Sequence, residues 1–192
     1  MLSAKHYVFS ILVALPSLAW AEEPFERWSL DTDVGGIWRV GTNTNLDYFV
    51  VPASISLRTP VHFKMDLGEG TLLVRSRGTL LTEWIAKGPE DYYLGFSASP
   101  SLEYWLPSKR TEIHFSIGGG IGYVNHKEGV TGAQGRDKTY NWFMLAGMRH
   151  FISDHCSIHA GLMFQHFSNL GATDPNPGLD GIGPVIGMSV SF

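Results

Sequence analysis

From Trp28 to Phe192 the chain repeats one pattern: apolar side chains at alternate positions over a long run, a polar break, and the pattern again. Leu94, Phe96, Ala98, Pro100, Leu102, Tyr104 and Leu106 share one parity. Gly95, Ser97, Ser99, Ser101 and Glu103 share the other. Successive side chains of a strand point to opposite faces, so this stretch forms a ribbon with one apolar face and one small or polar face. Ile113, Phe115, Ile117, Ile121 and Tyr123 oppose His114, Ser116, Gly118, Gly120 and Gly122 in the same way. Val51, Ala53, Ile55 and Leu57 oppose Ser54, Ser56 and Arg58. Leu72, Val74, Leu80 and Trp84 oppose Arg75, Arg77, Thr79 and Glu83, and Trp28, Leu30, Val34 and Trp38 oppose Asp31, Asp33 and Arg39. Phe143 and Leu145 break the alternation between Tyr140 and His150. The pattern predicts eight strands at 28–40, 48–58, 71–84, 92–106, 112–124, 139–150, 156–168 and 180–192. They match the roughly 9–11 residues that a tilted strand needs to cross a bilayer. Strands of water-soluble proteins peak at about 5–6 residues.

Two closed architectures use such ribbons. A lipocalin-like barrel turns its apolar face inward around a ligand. A membrane barrel turns that face to lipid and fills a narrow interior with polar side chains. The second face here carries Asp31, Asp33, Arg39, Arg58, Arg75, Arg77, Glu83 and Glu103. Mixed charges of this kind pair with one another inside a narrow barrel and make poor lining for an apolar pocket. Aromatics lie near the predicted strand ends (Trp28, Trp38, Trp84, Tyr92, Tyr104, Trp105, Tyr123, Tyr140 and Trp142), as interfacial girdles require. The chain ends in alternating Ile186, Met188, Val190 and Phe192, which resembles the terminal signal of outer-membrane barrels. The fold class expected is therefore all-β, an eight-stranded antiparallel transmembrane β-barrel. With both termini in the periplasm, connections 41–47, 85–91, 125–138 and 169–179 face outside, and 59–70 is a long periplasmic turn.

Ahead of the barrel, residues 1–21 read as a secretory signal peptide. Lys5 precedes an apolar run from Val8 to Leu18, and Ala19-Trp20-Ala21 offers small residues at the cleavage positions. The net charge is -4 and no basic cluster is present, so nothing suggests a nucleic-acid partner. One Cys, Cys156, excludes an internal disulfide and has the parity of an apolar filler. His155 and His159 stand about 13 Å apart along a strand, too far to share an ion, so no metal site is expected; with His150 they read as periplasmic rim residues. Gly118-Gly119-Gly120 lies within a strand and reads as a place where the barrel bends or packs tightly.

The last hairpin carries the chemistry. In FQHFSNLGATDPNPGLDG, residues 164–181, His166 and Ser168 continue the lipid-facing row of Ile158, Ala160, Leu162 and Phe164. Asp180 continues the row of Ile182, Ile186 and Met188. Polar groups on that face mark the membrane boundary or do work. His166 lies two residues from Ser168, within reach of its hydroxyl. A serine needs an adjacent base to become a nucleophile, and the base needs a third group to orient it, a role open to Asp180 across the hairpin. Asn169 and Asn176 offer donors for an oxyanion, and Asn176-Pro177-Gly178 is turn chemistry.

On His166, Ser168, Asn169, Gly171, Pro175, Asn176, Gly178 and the acid at 180, the sequence resembles the PagL-type lipid A 3-O-deacylases, which are outer-membrane barrels. The resemblance implies Ser168 as nucleophile, His166 as base and Asp180 as the third catalytic residue, with Asn169, Gly171 and Asn176 around the oxyanion and substrate. It implies lipid A of the bacterial outer membrane as substrate, hydrolysis of its ester-linked 3-hydroxyacyl chain at the outer leaflet, no cofactor, and a monomer or homodimer. The family pattern has Glu where this chain has Asp180, one methylene shorter. Two other readings share these features: a non-catalytic barrel serving as an adhesin or structural protein, and an esterase, phospholipase or transacylase acting on another lipid. In the connection 125–138, Lys127, Arg136 and Lys138 are candidate headgroup contacts.

Overall fold

The computed structural model describes residues 23–192, and the signal peptide expected at 1–21 lies outside them. A short 3-10 turn, Pro24–Glu26, leads into ten strands: β1 (Ser29–Gly35), β2 (Ile37–Val40), β3 (Phe49–Arg58), β4 (Phe63–Leu67), β5 (Gly70–Lys87), β6 (Tyr92–Trp105), β7 (Thr111–Val124), β8 (Lys138–Phe151), β9 (Cys156–Ser168) and β10 (Leu179–Ser191). β1 and β2 form one barrel strand in two pieces. The partner opposite Gly36 is Pro184, which has no N–H to give the ladder, and the pairing lapses there. β3 and β5 to β10 supply the other seven strands. Antiparallel pairing of β1 with β10, from Ser29↔Ser191 to Gly35↔Val185, closes the eight-stranded barrel. Closure leaves no open edge, the condition for a sheet to sit in lipid.

The predicted strands match the observed ones to within a few residues. The difference lies in the expected turn 59–70. There Phe63–Leu67 folds back on Gly70–Val74 as an added hairpin strand, β4, with every residue exposed. The two ends of the barrel differ accordingly. One carries the connections 41–48, 88–91, 125–137 and 169–178, here called the loop end. The other, the turn end, carries the β4 hairpin and the connections 106–110 and 152–155.

The outward face is apolar. Leu30, Val34, Ile55, Leu57, Leu80, Leu94, Phe96, Ile113, Ile117, Ile158, Leu162, Ile186 and Met188 are all exposed. A soluble monomer does not present such a continuous belt; a lipid-facing barrel must. Trp38, Trp84, Tyr92, Tyr123 and Trp142 ring the loop end of this belt, with Trp28 at the turn end. Trp105 departs from the expected girdle. It points inward, 1% exposed, and packs on Phe25 and Phe151.

The interior is layered rather than uniformly polar. At the turn end Phe25, Leu73, Trp105 and Phe151 plug the lumen. Above them lies a buried ionic network. Arg58 reaches Glu103 at 2.7 Å and Asp31 at 3.1 Å, and Arg149 reaches Asp31 at 2.9 Å and Glu112 at 2.8 Å. His159, expected on the periplasmic rim, is inside the wall and contacts Asp33 at 2.6 Å; Arg77 holds the same carboxylate at 2.8 Å. Towards the loop end the lumen turns apolar, with Ile37, Val50, Leu81, Ile85, Tyr93, Val124, Phe143, Leu145, Met163, Phe167, Leu179 and Val185 packed together. Phe143 and Leu145 thus interrupt the alternation because they are lumen-facing residues that join this apolar cluster. Gly120 and Gly122 are needed beside this core. A Cβ on Gly122 would lie 2.0 Å from the Tyr93 hydroxyl, and one on Gly120 would lie 1.8 Å from the Phe96 carbonyl oxygen.

Removing one member of the ionic network strands its partners in the barrel interior. Arg149→Ala leaves Asp31 and Glu112 short of a cation and is expected to destabilise the barrel by roughly 3–5 kcal/mol. The lipid-facing Ile158→Ala, which opens no interior cavity, should shift stability far less. Urea unfolding of the two variants in detergent, followed by tryptophan fluorescence and heat-modifiable gel mobility, measures the difference.

Candidate active site

β9 and β10 run side by side to the loop end in a register that pairs Asp180 directly with His166. Both occupy the outward row, as their parity predicts, at the level where belt gives way to loops. Their side chains are 22% and 21% exposed. His166 Nδ1 and Asp180 Oδ1 are 2.7 Å apart. Residues directly opposite on antiparallel strands have Cα atoms about 4.5–5.5 Å apart, so an aspartate is long enough to reach across. The carboxylate fixes the imidazole with Nδ1 engaged and Nε2 free to face another group. Trp142, opposite His166 on β8, stacks beside the imidazole with ring centroids 6.0 Å apart. Phe164 also packs on this indole, with ring centroids 5.0 Å apart.

The second carboxylate oxygen of Asp180 is also occupied. Asn43, in the connection between β2 and β3, donates its side-chain N–H to Oδ2. Gly41 is the neighbouring residue of that loop; a Cβ there would meet Asp180 Oδ2 at 3.6 Å. Arg39 sets the loop's path by donating to the carbonyls of Gly41 (2.8 Å) and Thr44 (3.0 Å), on either side of Asn43. The sequence pattern gave no reason to select Asn43. It is one of two asparagines in a polar turn more than a hundred residues from the hairpin, and only barrel closure brings it there.

Ser168 is the last residue of β9, two positions beyond His166 and opposite Tyr140 of β8. It is 5% exposed, beneath the start of the β9–β10 loop, and its hydroxyl makes no hydrogen bond among the described residues, His166 included. The hydroxyl is thus uncommitted, close in sequence to an imidazole whose Nε2 also has no hydrogen-bond partner among the described residues.

The loop that follows is tightly built. The N–H of Ala172 donates to the carbonyl of Asn169, and the two residues between, Leu170 (φ 55°) and Gly171 (φ 71°), take left-handed backbone. That conformation is easy for Gly171 and costly for Leu170. Asn169 is fully buried, and its side chain donates to the carbonyls of Thr173 (2.9 Å) and Pro175 (3.2 Å). Its backbone N–H donates to Asn176 Oδ1 at 2.8 Å. Asn169 therefore clasps the loop, whereas Asn176 keeps its side-chain N–H groups without a protein partner among the described residues. Gly178 (φ 61°) passes over the dyad, where a Cβ would lie 3.1 Å from His166 Cε1.

Neighbouring loops brace this one. Gly135 donates its N–H to the Pro175 carbonyl, and Thr44 donates its hydroxyl to the Gly132 carbonyl. Lys127, a candidate headgroup contact, instead bonds Asp91 at 2.6 Å. Together with Asn125 it holds that carboxyl below the usual carboxylate range. Arg136 donates to the Lys138 carbonyl. Among the described residues no group of His, Cys, Asp or Glu side chains is arranged to hold a metal ion.

Comparison with known proteins agrees with this architecture. The family model of lipid A 3-O-deacylase (PagL) matches residues 16–189. No curated protein matches the chain. Among solved structures, the crystal structure of the outer membrane enzyme PagL aligns over 85% of this chain and 99% of its own, with a TM-score of 0.58 and 14% identity. Neisserial surface protein A aligns over 86% of this chain and 97% of its own, with a TM-score of 0.48 and 11% identity. The chain belongs to the lipid A 3-O-deacylase (PagL) family and has its outer-membrane β-barrel fold.

Proposed function

We propose that the protein is a serine esterase that removes the ester-linked 3-hydroxyacyl chain of lipid A, with Ser168 as nucleophile, His166 as general base and Asp180 as the group that orients His166. The observation that carries this reading is the 2.7 Å contact between His166 Nδ1 and Asp180 Oδ1, two residues from an uncommitted serine hydroxyl. A Ser–His–acid set works by that division of labour: the acid fixes the tautomer, and the free Nε2 takes the serine proton. A turn of the Ser168 side chain toward Nε2 completes the set, and such contacts commonly tighten only when substrate is bound.

Ser168 Oγ attacks the acyl carbonyl carbon as its proton passes to His166 Nε2. The tetrahedral intermediate collapses, and His166 returns the proton to the departing sugar hydroxyl. The acyl-enzyme is then hydrolysed by a water that His166 deprotonates, releasing a 3-hydroxy fatty acid. The oxyanion takes hydrogen bonds from the Asn176 side chain and the Gly171 N–H, in the loop that Asn169 clasps. Aligned donors of this kind contribute about 10²–10³-fold each. In this reading the loop end faces outside and the site lies at the outer leaflet. The substrate's acyl chains run down the apolar exterior past Phe164, Leu162 and Ile182, below a sugar headgroup at the level of the loops. One chain supplies every residue that the reaction uses, with no cofactor.

Lipid A from cells making the protein should lose one 3-hydroxyacyl chain by mass spectrometry, and lipid A from cells making folded Ser168→Ala should stay intact. Unchanged lipid A with folded wild-type protein would point to a different lipid ester. A second expectation concerns the nucleophile itself. A fluorophosphonate probe should label Ser168 in the intact barrel, and His166→Ala should reduce the labelling rate by at least about 10²-fold, the usual contribution of a positioned base. Labelling that persists undiminished in His166→Ala would remove His166 from the role of base.

A further inference from the structure

The reading of Ser168, His166 and Asp180 assigns no task to the residue on the far side of the carboxylate. Asp180 Oδ1 serves His166, and Oδ2 accepts the side-chain N–H of Asn43, 2.5 Å away. An aspartate has a free rotation about its last bond. A carboxylate held by one partner swings easily, and one held at both oxygens does not. Asn43 itself is held from behind, because Arg39 anchors the carbonyls of Gly41 and Thr44 that flank it. Thr44 in turn is tied to Gly132 in a third loop. The amide also lies over the dyad from the loop side: Asn43 Nδ2 is 3.6 Å from the place of a Gly178 Cβ, which is itself 3.1 Å from His166 Cε1.

We infer that Asn43 is a positioning residue for the deacylation, its amide locking the Asp180 carboxylate so that the opposite oxygen meets His166 Nδ1. This inference rests on the assignment of Ser168, His166 and Asp180 above. Asn43 touches neither the substrate nor the reacting atoms; it acts through Asp180. The lock matters for an acid as short as Asp180, which reaches His166 only from the directly opposite register position. It also explains why a short acid suffices here: the remaining freedom of the carboxylate is removed from outside the hairpin.

The test compares Asn43→Ala, Asn43→Asp and Asp180→Ala, singly and combined, in release of 3-hydroxy fatty acid from lipid A in detergent micelles. Heat-modifiable mobility checks folding. Asn43→Ala should lower kcat about 10-fold with KM unchanged, the loss of one hydrogen bond to a charged group. Asn43→Asp has the same shape but sets a carboxylate against a carboxylate, so it should fall further than Asn43→Ala. In the Asp180→Ala background, Asn43→Ala should cost nothing more, because the group it positions is gone. Should Asn43→Ala fail to fold, the isosteric Asn43→Asp still carries the comparison. Near wild-type turnover in Asn43→Asp, or a full additional loss in the double variant, would overturn the inference and leave Asn43 as a loop-packing residue. Ser168→Ala is run alongside. Retained activity there removes the site assignment on which the inference stands, whereas an inactive Ser168→Ala beside fully active Asn43 variants removes the inference alone.

Discussion

A strand in lipid has to give its backbone N–H and C=O groups to a neighbour, and the pairing of β1 with β10 completes that circuit. Much else follows from it. Closure fixes which parity of each strand faces lipid and which faces the lumen. It narrows the interior until charged side chains meet across it: Arg149 of β8 reaches Asp31 of β1, and Arg58 of β3 reaches Glu103 of β6. It also brings the connection between β2 and β3 against the hairpin of β9 and β10, so that Asn43 meets Asp180. An open sheet with the same hairpins would keep the His166–Asp180 pair and lose both the ionic core and the far side of the carboxylate.

The lumen shows how unequal demands were met in one narrow space. Burying charges without partners is prohibitive, and burying them in satisfied networks is roughly neutral. The charges gather at one height, where five different strands supply both signs. Above that height a mainly apolar layer encloses a few paired polar groups, among them Glu83 with Gln165 and Ser97 with Asn141, and below it Trp105, Phe151 and Phe25 seal the lumen. The apolar layer is the one beneath the site. Tyr93 stacks on Phe167, the residue between His166 and Ser168, at 5.1 Å, and so packs the inner face of the strand whose outer face carries His166. A site on the wall of the barrel is therefore backed by a buried, mainly apolar layer.

Alternation made the strands, their faces and the barrel legible in the sequence, because period two is the direct imprint of a wall between lipid and lumen. The contact between His166 and Asp180 was legible for the same reason: both are polar residues on apolar rows, and adjacent strands joined by a short loop have a constrained register. Where the lumen is itself apolar, parity loses its meaning, which is why Phe143 and Leu145 read as irregular and Trp105 reads as a girdle residue. The β4 hairpin was hidden because all its residues are exposed and no face needs to be coded. Asn43 was hidden because its partner is set by closure rather than by sequence distance. The role of Asn169 was half legible. The residue type suits an oxyanion donor, but its burial and its three side-chain hydrogen bonds make it the clasp of the loop.

The site joins two kinds of support. His166 and Asp180 stand on paired strands, where the ladder holds their backbones and the register alone sets their spacing. Ser168 stands at the end of that ladder, and the loop after it depends on local devices: the left-handed pair Leu170 and Gly171, the Asn169 clasp, and the brace from Gly135. A base must keep one geometry throughout a reaction, so strands suit it. In the proposed reaction Ser168 changes partners twice, from His166 to the acyl carbon and back, and the oxyanion exists only in between. Side-chain freedom at a strand end, beneath a loop pinned at a few points, meets that need without loosening the dyad. Buried Asn169 then has a physical purpose that does not require it to touch substrate. By tying Thr173, Pro175 and Asn176 together, it holds the loop that carries the proposed oxyanion donors in one shape.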